Sequence, residues 1–170
     1  NDAWTVHLEG RVMGYAGAGL DGEPMLAVCR GRCADELEVE ALYFTLQGLG
    51  LHYASAFRGI EQVWCGASEA IARIVVTPAV ATDPTSWLCH PAWLDACNQV
   101  FAAALGIETL SDSGAVYVPV AVERYWLREA MGPETYSYAR VRERKEDGDF
   151  TADIRLFDPH GTVLGSIDGL

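Results

Sequence analysis

The chain has 170 residues, half of them hydrophobic and 21% charged; that length supports one full core and is too short for two comfortable ones. The formal charge of −12, from 24 acids against 12 bases, argues against a nucleic-acid binder, since backbone phosphates demand a basic footprint. No apolar run approaches the ~20 residues of a membrane span, and the opening NDAWTVHLEG lacks both the pattern of a secretory signal and an initiator Met, as expected of a piece cut from a longer chain.

Residues 4–13, WTVHLEGRVM, alternate as a strand does, and a Gly-rich loop runs from Gly14 to Gly22. Pro24 to Cys29 reads as a short second strand or a linker. Asp35 suits the N-cap of a helix running to about Leu49, with Leu42, Leu46 and Leu49 on one face. Gly48 and Gly50 offer its left-handed stop. Ile60 to Cys65 and Glu69 to Thr77 read as a strand pair about a Gly-containing turn, and Pro78 to Pro84 as a loop.

HPAWLDACNQ, His90 to Gln99, opens the most informative element. Pro91 suits the first turn of a helix, where its missing N–H is not needed. Trp93, Cys97, Val100, Phe101 and Ala104 recur at helical spacing. Asp95 and Gln99, four apart, share a face roughly opposite that stripe. Helical geometry alone makes Asp95 a surface acid; an acid beside an amide suits proton transfer only where something covers it. Strands are expected afterwards at Val116 to Val122, Thr135 to Glu143, Phe150 to Asp158 and Thr162 to Leu170. Lys145 to Asp149 reads as a hairpin loop and Asp158 to Gly161 as a tight turn. An antiparallel sheet that must cover so apolar a helix curls around it. The expected fold is therefore α+β, a hot-dog: a curved antiparallel β-sheet wrapped around a central helix.

Five cysteines form no regular framework. Cys29 and Cys33 have a CxxxC spacing with no second pair to complete a zinc site. Reduced thiols in a cytoplasmic protein are the expectation. Arg140, Arg142 and Arg144 alternate along one strand, so they share a face; it reads as a solvated face, or as a surface for an acidic partner.

The ordered set of motifs resembles one family. HPAWLDACNQ resembles the HPxxLDxxxQ motif of the second half of polyketide synthase dehydratase domains. GLHYASAFRGI, Gly50 to Ile60, resembles the family's GxxYGPxF segment. VPVAVERYWL, Val118 to Leu127, resembles its Pro-containing strand, and GTVLGSIDGL its closing strand. The resemblance implies that residues 50–170 are the C-terminal hot-dog of a double hot-dog dehydratase, with residues 1–49 the tail of the preceding hot-dog and a linker. Three departures stand out. Ala54-Ser55 replaces the family's Gly-Pro, and Ala121 and Val122 replace an aromatic in the Pro-containing strand. The HxxxGxxxxP motif of the first half is absent, since His7 is followed by Gly10 at the wrong spacing and by no Pro.

The implied reaction removes water from a β-hydroxyacyl thioester on an acyl carrier protein, giving an α,β-unsaturated acyl group. A His, expected in the missing N-terminal half, would take the α-proton. Asp95 would protonate the departing hydroxyl, and Gln99 would orient it. A backbone N–H at a helix start would serve the thioester carbonyl. An aspartate ordinarily titrates at about 3.9, so an acid role at neutral pH requires an apolar setting. Tyr53, Phe57, His90 and Pro91 would contact substrate, with His90 capping the helix or fixing the loop before it, while His52 and His160 sit in solvated loops. No cofactor of its own and no metal are implied, because the substrate rides on the carrier's phosphopantetheine arm. The implied partners are the acyl carrier protein, the other synthase domains including the N-terminal hot-dog half, and a second copy in a homodimeric parent. Other readings are an inactive dehydratase-like scaffold, an isomerase or cyclase of the same fold, and a free-standing homodimeric hot-dog acting on acyl thioesters.

Overall fold

Helix α3 (Pro91–Leu105) forms the centre because most of its circumference is apolar or small: nine of its 15 side chains are buried. So broad an apolar surface needs cover on more than one side. A seven-stranded sheet supplies most of it. The computed structural model describes residues 9–14, 25–78, 80, 87–128, 130–145 and 148–170. In chain order its elements are α1 (Leu26–Arg32), β1 (Asp35–Leu37), α2 (Val39–Gly48), a 3₁₀ turn (Ser55–Phe57), β2 (Ile60–Gly66), β3 (Glu69–Val75), α3, α4 (Ile107–Ser113), β4 (Arg124–Leu127), β5 (Glu134–Arg144), β6 (Phe150–Phe157) and β7 (Val163–Asp168).

The strands run β1-β2-β3-β5-β6-β7-β4, every neighbouring pair antiparallel. This is the expected α+β arrangement of an antiparallel sheet packed against a helix. On the α3 side Ala70, Ala72, Ile74, Ala139, Ile154 and Leu156 join Trp93, Cys97, Val100 and Ala104 in one core. Ser137 ties strand to helix, its hydroxyl donating to the Cys97 carbonyl at 2.9 Å. Ahead of residue 50, β1 pairs with β2, and Leu42 and Leu46 of α2 enter that core.

The outer face is covered too. Cys29 and Cys33, four apart on α1 and just past its end, pack with Trp64, Ile71, Tyr138 and Phe157. The CxxxC spacing thus serves packing, and burial pushes the two thiols up to about 11 and about 12. With both faces covered, β3 loses the polar-out alternation of a half-exposed strand, and Ile71 is as buried as Ala70 and Ala72.

Several expectations need correction. Of the strand or linker expected over Pro24 to Cys29, Leu26 to Cys29 are instead helical, in α1, and Pro24 lies outside the described residues. Asp35 caps no helix: it pairs with Cys65 in β1, and α2 starts at Val39 behind Glu38, whose carbonyl accepts from the Ala41 and Leu42 N–H groups. Extending the sheet edge satisfies backbone groups that a cap would leave to side chains. Val116 to Val122 is not a strand, and β4 begins only at Arg124. Its alternation is real, but no strand among the described residues pairs with it, and Val118 and Val120 are exposed, the latter at 89%. Helix α4 was not expected at all. Of the strand expected over residues 4–13, Glu9 to Met13 are exposed and irregular; the remainder, most of the Gly14–Gly22 loop and most of Pro78–Pro84 lie outside the described residues.

The later expectations hold closely. The β2–β3 turn passes through Ala67 and Ser68, the latter at φ 59°. Gly148 at φ 95° closes the β5–β6 loop, where the Lys145 N–H donates to the Asp149 carbonyl at 2.8 Å. In the next turn the Asp158 carboxylate accepts from the His160 and Thr162 N–H groups, each at 2.8 Å.

Gly59 lets the chain before β2 lie directly on α3. A Cβ there would meet the Ala96 Cβ at 3.1 Å and Ile74 Cγ2 at 3.3 Å. Gly59→Val is expected to cost roughly 1–3 kcal/mol through overpacking, read as a lower urea midpoint with unchanged slope. A wild-type midpoint would show that this approach is not tight.

Candidate active site

Asp95 and Gln99 lie one turn apart on α3, as the spacing requires, and their side chains meet. The Gln99 Nε2 donates to Asp95 Oδ2 at 2.7 Å. Their face is not the solvent face that an amphipathic helix presents: Gln99 is 5% exposed and Asp95 half-buried. The sheet cannot reach that side, so α2 and the 3₁₀ turn provide the cover. From the turn, the Phe57 carbonyl accepts from Gln99 Nε2 at 3.0 Å. From α2, the Tyr43 O–H donates to Gln99 Oε1 at 3.1 Å. All of the amide's polar atoms are engaged, which is what tolerable burial of an amide demands.

Charge reaches beyond these contacts. The Tyr43 phenol is pushed up to about 12, chiefly by burial; Arg58 opposes the shift, and Tyr53 and the Asp95 charge add to it. The Tyr53 phenol is raised by burial first and by the Asp95 charge second. Arg58 stands over the Tyr43 ring at 4.3 Å and pairs with Glu40 at 2.6 Å.

The remaining expected residues divide. Tyr53 is half-buried, its ring edge-on to Tyr43 with centroids 6.1 Å apart. Phe57 is 41% exposed, so its backbone carbonyl, not its ring, serves Gln99. The Ala54-Ser55 departure is accommodated without glycine: the chain enters the 3₁₀ turn through Ala54 at φ −74°, and none of Ala54 to Phe57 has positive φ. His90 is the N-cap residue of α3. Its Nδ1 accepts from the Ala92 N–H at 3.2 Å, and the Trp87 ring stands edge-on to it at 5.8 Å. Pro91 is exposed at the first helical position.

The start of α3 leaves little for a substrate carbonyl. Pro91 has no N–H, the Ala92 N–H goes to His90 Nδ1, and those of Trp93 and Leu94 go to the His90 carbonyl at 2.9 and 3.0 Å. An oxyanion donor at a helix start, as expected from the sequence, is not supplied by these groups. Among the described residues the Asp95 carboxylate is bonded to Gln99 and to no histidine. His52 and His160 are exposed, His160 lining a cavity of about 380 Å³ beside α1 with Leu26, Arg30 and Tyr136. A second cavity, about 350 Å³, runs along Arg124, Arg142, Asp153, Arg155 and Asp168; neither is lined by Asp95. Of the three strand arginines, Arg142 faces Asp153 at 3.3 Å and Arg144 lies over the Phe150 ring at 4.8 Å, and a register shift between Val141 and Glu143 interrupts their shared face.

Tyr43 and the Phe57 carbonyl are the parts of the site that sequence reasoning missed. The available signal was thin: Tyr43 adjoins Leu42 and Leu46, at the edge of the apolar stripe of α2, but nothing in ALYFTL says that its hydroxyl meets a glutamine 56 positions on.

Comparison with known proteins places these features. A family model described as the polyketide synthase dehydratase N-terminal domain matches residues 21–170. That match corrects the expectation of a C-terminal hot-dog half, and with it the ground for placing the catalytic His in a missing N-terminal half. The match extends over residues 21–170, whereas the motifs that pointed to the other half are short stretches within residues 50–170. Polyketide synthase GfsE of Streptomyces halstedii is 29% identical over 137 residues, 81% of this chain and 3% of its own length. Phthioceranic/hydroxyphthioceranic acid synthase of Mycobacterium tuberculosis (strain ATCC 25618 / H37Rv) is 29% identical over 124 residues, 71% of this chain and 6% of its own length. Among solved structures, the dehydratase domain from the CurF module of curacin polyketide synthase is similar with a TM-score of 0.78 and 27% identity, over 92% of this chain and 54% of that one. The CurJ dehydratase domain gives 0.76 and 25%, over 87% of this chain and 53% of that one. The chain thus spans about half the length of these solved dehydratases and a small part of its large curated relatives.

Proposed function

The chain belongs to the polyketide synthase dehydratase family, and on that premise we propose that it forms part of a domain removing water from a β-hydroxyacyl thioester on an acyl carrier protein, with Asp95 as the proton donor. The observation that carries this reading is the partly buried bond from Gln99 to Asp95 Oδ2. It commits one carboxyl oxygen as an acceptor and leaves Oδ1 without a hydrogen bond among the described residues.

The chemistry follows from that arrangement. A base takes the α-proton, the C–H electrons form the Cα–Cβ double bond, and the Cβ–O bond breaks toward the oxygen. Hydroxide is a poor leaving group, so the departing oxygen takes the proton of Asp95 and leaves as water. Asp95 is left as carboxylate and the base protonated, and exchange with solvent restores both. Tyr53, whose phenol feels the Asp95 charge, and the exposed ring of Phe57 come from the segment before β2 and would border the acyl chain; His90 and Pro91 hold the helix start. The phosphopantetheine arm and the acyl group belong to the carrier, so no further cofactor is required. In solved relatives, a CurJ dehydratase with a histidine replaced by phenylalanine and a CurK dehydratase with an aspartate replaced by asparagine are described as inactive mutants, which supports a paired acid and base.

The rest of the dehydratase is needed to complete the site, since this chain spans about half of the solved domains and leaves Val116, Val118, Val120 and Val122 exposed. The purified 170-residue chain is therefore expected to give no dehydration of a β-hydroxyacyl carrier substrate by mass spectrometry, where the intact dehydratase does. Turnover by the chain alone would overturn the claim that its site is incomplete.

A further inference from the structure

The bond from Tyr43 to Gln99 is not used by the chemistry above. We infer that Tyr43 is a positioning residue for the proton donor: its O–H holds and polarises the Gln99 amide, whose N–H occupies one oxygen of Asp95 and leaves the other to carry the proton. This rests on the reading of Asp95 as that donor.

A glutamine amide has one acceptor oxygen and two N–H donors. The Phe57 carbonyl can only accept, so it takes one N–H at 3.0 Å, and Asp95 Oδ2 takes the other at 2.7 Å. Oε1 is then left facing Tyr43, whose O–H is its donor at 3.1 Å. Rotating the amide by half a turn would set Oε1 against the Phe57 carbonyl and the carboxylate. The phenol could accept from the rotated amide, so these two acceptors set the orientation, in a place where Gln99 is buried and water is a poor substitute for either bond. The two acceptors therefore select the amide orientation that occupies Oδ2, the phenol holds the amide there by donating to Oε1, and the transferable proton is confined to Oδ1. Two of the bonds also point one way, from phenol to amide and from amide to carboxylate, so the first donor polarises the second.

Tyr43 is itself held. Its ring lies under Arg58 at 4.3 Å, and Glu40 fixes that guanidinium at 2.6 and 2.7 Å. Burial keeps the phenol protonated up to about 12, so the donor persists at every working pH. The titratable groups whose charge couples to Asp95 are Tyr43 from α2, Tyr53 from the segment after it and Cys97 on α3 itself, with the Arg58–Glu40 pair behind Tyr43.

The test is the pH profile of kcat for dehydration by the intact dehydratase carrying Tyr43→Phe. A weaker donor into the amide favours the carboxylate less, so the decline of kcat at alkaline pH, where the acid is ionised, moves to higher pH. The expected displacement is about half a pH unit, with kcat at neutral pH lower by about fivefold and KM unchanged, the order expected for one polarised hydrogen bond. In a Gln99→Met background the same Tyr43→Phe change is expected to move nothing. An unmoved alkaline decline, or a displacement that persists without Gln99, overturns the inference. Should Tyr43→Phe fail to fold, 3-fluorotyrosine at position 43, a stronger donor of nearly the same shape, moves the decline to lower pH; no movement overturns the inference equally. Asp95→Asn assayed in parallel separates the two claims, because retained turnover there sinks the proton-donor reading itself.

Discussion

Asp95→Asn in the intact dehydratase is expected to lower kcat for loss of water by about 10²–10⁴-fold, the usual weight of a positioned general acid. Asparagine retains the size of the side chain and an oxygen that accepts from Gln99 Nε2, the contact now made at 2.7 Å. It has no acidic proton to give. KM and the melting temperature therefore stay near wild type, and steady-state kinetics with thermal unfolding separates the loss of an acid from the loss of a fold. Turnover within tenfold of wild type would remove Asp95 from the chemistry.

Gln99→Leu is expected to damage both stability and rate. The replacement fills similar space but strands the Tyr43 O–H and the Phe57 carbonyl, which now meet the amide at 3.1 and 3.0 Å. An unsatisfied buried polar group costs about 1–3 kcal/mol, so a loss of roughly 2–4 kcal/mol is expected if neither group finds another partner, read in urea unfolding. Gln99→Glu is the informative companion. It retains an acceptor for Tyr43 but sets a second carboxylate against Asp95, so the alkaline decline of kcat moves to higher pH. A Gln99→Leu protein as stable and active as wild type would show that the amide has no structural part here.

The same network marks how far sequence carries. Helix α3 was legible because Trp93, Cys97, Val100 and Ala104 recur at helical spacing and Pro91 marks the first turn; the structure buries all four. β5 and β6 were legible from alternation, because their outer faces are only partly covered and so retain polar residues such as Arg140 and Asp153. α1 was not, since Cys29 and Cys33 fit a short helix only once an outer sheet face exists for them to cover. Val116 to Val122 misled in the opposite sense: alternation reports a face and not a neighbour, and no strand among the described residues pairs with it. At the site, the Asp95–Gln99 pair follows from a four-residue spacing, whereas Tyr43 and the Phe57 carbonyl reach it through contacts of 56 and 42 positions. Separations of that size are set by how α2 and the 3₁₀ turn pack on α3. The choice between the two halves of the domain lay deeper still: four short ordered motifs pointed to the second half, whereas the N-terminal family model matches residues 21–170 as a whole.

The most direct measurement of the central claim is leaving-group rescue. The intact wild-type and Asp95→Asn dehydratases are each given a β-hydroxyacyl carrier substrate and its β-fluoro counterpart, whose leaving group is of similar size but a far weaker base. If Asp95 serves to protonate the departing group, Asp95→Asn loses elimination of water by about 10²–10⁴-fold yet eliminates fluoride within about tenfold of wild type, and both form the same α,β-unsaturated product. Equal loss with both substrates would contradict a proton-donor role for Asp95, because a side chain that delivers a proton to the leaving group is dispensable only when that group needs none.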